Sequence, residues 1–134
     1  MTEINELLSA TYCLKSGETT MQQNCVAVLD TTEGKVVTPS GAGAGGIAGV
    51  LRDTELEAGE YGTFQVAGIA KVRIAEAVST GDMLIVADTQ GRVKPKGEGA
   101  HSSGVGLVGR AISGASTQDS LVKCILTIPN EYSS

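Results

Sequence analysis

The chain has no tryptophan, one histidine, one phenylalanine and three tyrosines in 134 residues. Base stacking needs aromatic platforms, and counterion release needs clustered cations. With a net charge of −5 and ten scattered Lys and Arg, the chain is expected to bind no nucleic acid. Cys13, Cys25 and Cys124 are too few and too far apart for a disulfide framework, and they lack the C-x-x-C spacing of a zinc site. No metal and no cofactor is expected. No apolar run approaches the length of a bilayer span, and the first twenty residues carry acids where a signal peptide needs bases. The expectation is a soluble, cytosolic product with no membrane partner.

What is abundant is glycine, at 18 residues, and short β-branched runs. Glycine takes positive φ without a Cβ penalty, so this frequency favours turns and bulges over long helices. The runs are "CVAVL" (25–29), "KVV" (35–37), "IAGVL" (47–51), "FQVAGIAKVRIA" (64–75), "MLIVA" (83–87), "RV" (92–93), "VGLVGRAI" (105–112) and "LVKCILTI" (121–128). Each is bounded by Gly, Pro, Asp or Thr, and no helical pattern of 10 to 15 residues intervenes. Seven to eight short strands with glycine-rich loops predict an all-β fold, a small barrel or sandwich. A domain of this length buries roughly two thirds of its extended surface.

Residues 1–24 differ in character. "TEINELL" spaces Ile4, Leu7 and Leu8 as one apolar helical face, two turns long, which needs a surface to lie on. "KSGETTMQQN" is polar. The division expected is an arm and linker over 1–24, one β-domain over 25–128 and a tail over 129–134. Within that domain, 28–50 and 86–108 repeat one plan of Asp-Thr, Gly-base-Val, Pro, a glycine loop and an apolar run, with Asp30 and Asp88 58 positions apart. Common ancestry and convergence on one hairpin plan both account for it.

"GAGAGG" (41–46) matches G-x-G-x-x-G at Gly41, Gly43 and Gly46. A dinucleotide fingerprint must come directly after a buried strand and open a helix. Here Pro39 precedes the loop, and the residues after it alternate like a strand. The corresponding loop at 97–104 loses the spacing, and no Gly-Lys-Ser/Thr occurs in the chain. Both loops read as structural. Use of 41–46 and 97–104 by a nucleotide- or small-ligand-binding enzyme subunit is the alternative. His101 stands alone, and "HSS" lies in a glycine-flanked loop. Glu55, Glu57 and Glu60 form a charged turn, and acid–base work would require one of them to be buried. Asp30, Asp82 and Asp88 read as turn residues. Arg92, Lys94 and Lys96 read as a solvated strand edge. No catalytic set emerges.

From Ile47 to Leu126 the chain resembles the phage capsid cement, or head-decoration, proteins. The stretches that carry the likeness are "GVLRDTELEAGE", "FQVAGIAKV", "VSTGDMLIVADTQGRV", "GLVGRAISGAS" and "LVKCIL". The resemblance implies a non-enzymatic protein, typically a homotrimer, made in the host cytoplasm and bound to the outer capsid surface of the virion. There it would clamp neighbouring major capsid protein subunits of the expanded head. Ile4, Leu7, Leu8, Tyr12 and Leu14 would then anchor the arm to the capsid or to a neighbouring copy. A β-rich tail or baseplate component is a further alternative.

Overall fold

The computed structural model describes residues 9–97 and 105–128, all of them strand, turn or loop. Strands β1 (Ser9–Leu14), β2 (Met21–Gln22), β3 (Val26–Leu29), β4 (Lys35–Val37), β5 (Ile47–Leu51), β6 (Glu55–Leu56) and β7 (Tyr61–Gln65) make the first unit. Strands β8 (Ile69–Arg73), β9 (Met83–Val86), β10 (Val93–Pro95), β11 (Leu107–Ala111) and β12 (Leu121–Leu126) make the second. The fold is all-β, as the short β-branched runs predict. In the first unit β1, β4, β3, β5 and β7 close into a barrel, while β2 and β6 pair separately. Residues 9–24, read from the sequence as part of an arm, hold β1 and β2. The first of these closes the barrel by running parallel to β4 and antiparallel to β7.

The second unit repeats the same plan. Ala10 faces Phe64 and Tyr12 faces Gly62 across β1 and β7; sixty positions on, Ala70 faces Cys124 and Val72 faces Val122 across β8 and β12. The parallel seam recurs as well. Leu14 pairs with Val36 and the Lys15 amide donates to the Val36 carbonyl, while Ile74 bridges Val93 and the Ala75 amide donates to the Val93 carbonyl. That single bridge joins the edge strands of the sheet β10-β9-β11-β12-β8. Both copies also place a bulge in the strand after the glycine loop, with Ala48 and Val108 as the extra residues. A glycine comes after each for lack of room. A Cβ on Gly49 would lie 3.0 Å from Phe64 Cβ, and one on Gly109 would strike the Ile125 carbonyl and the Cys124 sulfur.

The first barrel is filled by Leu14, Val36, Leu51 and Phe64, all fully buried, with Met21 and Leu56 from the small β2–β6 ribbon at one end. Strand β5 is buried along its whole length because both of its faces are covered. Ala48 and Leu51 face the first core, whereas Ile47 and Val50 join Val26 in the core of the second unit. Backbone bonds reinforce this seam: the Val26 amide donates to the Gly91 carbonyl, Gly43 to Val86 and Arg73 to Asn24.

Gly34 and Gly91 occupy equivalent turns at φ +79° and +83°, but only Gly91 lies against the other unit, where a Cβ would strike the Val26 carbonyl. Gly34→Ala should cost about 1 kcal/mol, the backbone penalty alone. Gly91→Ala should cost about 2–4 kcal/mol, because the seam must also open. Urea unfolding of the two variants checks this, and equal losses would contradict the packing described.

Candidate functional site

The glycine loop of residues 41–46 runs from β4 to β5 and opens no helix. Gly43 and Gly46 take positive φ, and the Gly43 amide donates 2.9 Å to Val86 of the second unit. The Gly43 N–H, which a bound phosphate would need, is thus used to join the units. In the second copy Gly97 has φ +73°, while 98–104, including His101, lie outside the described residues.

The remaining chemical candidates do not converge. Cys13, Cys25 and Cys124 are buried and free, and the described residues contain no cluster of three or more metal-ligating side chains. Asp30 and Asp88 accept from the amides of Thr32 and Gln90 as turn residues, and Asp82 accepts from Ser79. The Thr32 amide and the Lys15 ammonium hold Asp30 below its ordinary range. Glu60 accepts from the Glu57 amide on an exposed turn. Arg92 departs from the solvated-edge reading: its guanidinium bridges Asp88 at 2.8 Å and Asp119 at 3.1 Å, clamping two turns of the second unit. A groove of about 560 Å³ is lined by Thr19, Thr20, Thr38, Thr89 and Gln90 with no titratable side chain.

Of the residues expected to anchor an arm, Ile4, Leu7 and Leu8 lie outside the described residues. Tyr12 is half-buried with its ring edge-on to Phe64 at 5.8 Å between centroids. Leu14 is fully buried in the barrel. Both belong to the first core.

The surface that stands out is the outward face of β8, β12 and the end of β11. Six large apolar side chains are exposed among the described residues, and Ile69, Ile112, Leu121 and Ile125 share this face. Ile69 sits opposite Ile125, Lys71 opposite Lys123 and Arg73 opposite Leu121. Arg110 lies beside Ile125, and Ile112 beside Lys123, to whose carbonyl its amide donates. Directly opposed like charges destabilise a strand pair, and neither lysine has an ion-pair partner among the described residues. The equivalent face of the first unit carries Thr11, Tyr61 and Thr63 instead. A cationic, aliphatic face on a chain of charge −5 is suited to protein contact rather than to catalysis. The alternation of Lys71 and Arg73 along "KVRIAEA" signals this face in the sequence. Its isoleucines carry no such signal.

No family model matches the chain, and no curated protein does. Among solved structures it is similar to the N base of the head fibre gp8.5 of bacteriophage phi29. The TM-score is 0.63 at 12% identity, covering 95% of this chain and 98% of that one. The two share a fold over nearly their whole lengths.

The buried thiols generate a pH dependence. Burial pushes Cys124 up to about 12 from 9.0. Burial also raises Cys25, against the opposing pull of the Arg73 guanidinium. Above pH 9 the unfolded chain therefore sheds protons that the folded chain keeps. Stability should be full below that pH and then fall by up to about 1.4 kcal/mol per pH unit for each thiol. Urea midpoints at rising pH check this, and Cys124→Ala should flatten the decline. An unchanged slope in that variant would contradict it.

Proposed function

We propose that the chain is a structural protein of a phage virion. It binds the outside of the head as a decoration or cement protein and, as a homotrimer, clamps neighbouring major capsid subunits of the expanded shell. The observation that carries this reading is the full-length likeness of fold to the base of a phage head fibre. The sequence resemblance of residues 47–126 to cement proteins points the same way, although no family model matches the chain. So does the surface of the described residues, whose most distinctive feature is an exposed aliphatic and cationic face. Many copies on a lattice multiply a modest individual contact, so an extensive interface per chain is not required. The apolar face of Ile4, Leu7 and Leu8 serves as the capsid anchor, since Tyr12 and Leu14 are committed to the barrel.

Sedimentation with purified heads tests this. The full chain is expected to pellet with expanded capsids, and a variant lacking residues 1–8 is expected to keep its melting temperature and lose capsid binding. Unchanged binding of the shortened chain would rule out the anchor. A chain that ignores heads and pellets with tails would contradict the head assignment.

A further inference from the structure

The opposed lysines of β8 and β12 ask for a partner, and the chain itself carries a matching surface. At the start of β7, Tyr61 is 74% exposed, flanked by Thr63 and by the exposed carboxylates of Asp53, Glu57 and Glu60. Asp53 accepts from the Thr63 amide and Glu60 from the Glu57 amide, and none of the three is in an ion pair among the described residues. These two surfaces occupy equivalent places in the two units, because Tyr61 and Leu121 begin the corresponding strands. The repeat has thus given one sheet face an acidic rim with an exposed aromatic, and its counterpart aliphatic side chains with unpaired cations.

We propose that the outward face of β8 and β12 is a contact between copies of this chain, taking up the Tyr61 corner of a neighbour with Glu57 and Glu60 against Lys71 and Lys123. Tyr61 packs on Ile69 and Ile125, which face each other across the strands beside the lysine pair, an aromatic anchor on an aliphatic floor of the kind that carries binding energy. The carboxylates relieve the lysine repulsion that the isolated chain retains. Because one chain offers both surfaces in different units, the contact is head-to-tail, and its rotation sets whether it closes into a ring. This contact stands whether or not the chain is a head protein.

Mass in solution by analytical ultracentrifugation tests it, with the full chain and variants whose substitutions are all exposed. The parent is expected to associate, and to dissociate as salt screens the charges. Lys71→Glu with Lys123→Glu, and separately Glu57→Lys with Glu60→Lys, should each weaken association roughly a hundredfold, since like charges then face one another. Combining all four should restore it. A parent that is monomeric throughout, or association indifferent to either reversal, would overturn the proposal. A four-fold variant that stays monomeric would overturn the pairing of these two surfaces. A monomeric parent whose lysine reversal abolishes capsid binding would assign the face to the shell instead.

Discussion

Val26, Ile47 and Val50 belong to the first unit by strand pairing and to the second by packing. Strands β3 and β5 are therefore shared structural walls. Their inner side chains fill one barrel, and their outer ones complete the core of the other. Most of what distinguishes the molecule depends on that double burial. It explains why β5 is apolar along its length, why the 41–46 loop bonds to Val86, and why Gly91 has no room for a side chain. A separate pair of domains on a linker would need none of these. The two units are instead joined by an apolar seam bordered by backbone hydrogen bonds.

Repetition of one strand plan also leaves each unit a sheet face that the seam does not use. In the first unit that face is threonine and tyrosine beside carboxylates; in the second it is isoleucine, leucine and lysine. The cores differ in another way. Phe64 and Cys124 hold equivalent inward positions and both are fully buried, so side chains of very different volume fill the corresponding places in the two cores. Where side chains point outward, the substitutions changed charge and polarity. Contact chemistry thus lies on the faces that were free to differ, while the bulges, parallel seams and turn glycines were held in common.

Much of the fold is legible because the eight β-branched runs are the segments whose side chains must fill a core. Strand β1 is not, since Ser9 and Thr11 interrupt its apolar residues and the polar "KSGETT" follows it directly, so no β-branched run marks it. Strands β2 and β6 are two residues each, too short for any periodicity. The repeat is visible through its Asp-Thr turns at a spacing of 58, whereas β1 and β7 correspond to β8 and β12 at sixty. The inserted residues lie in loops, where length varies at little cost. Of the contact face, the lysine alternation is readable and its meaning is not. Ile69 and Ile125 are indistinguishable in sequence from core isoleucines until β8 and β12 are known to pair across some fifty intervening residues. The fingerprint in the glycine loop fails on its surroundings, and the β-strand that the loop leads into gives the physical reason.

Electron cryomicroscopy of phage heads assembled with and without this chain tests the central claim most directly. The predicted result is added density on the outer surface of the expanded shell, present only when the chain is supplied, into which both units fit as one rigid body across adjacent capsid subunits. Heads that look identical in the two preparations, with the chain found free or on tails, would contradict it.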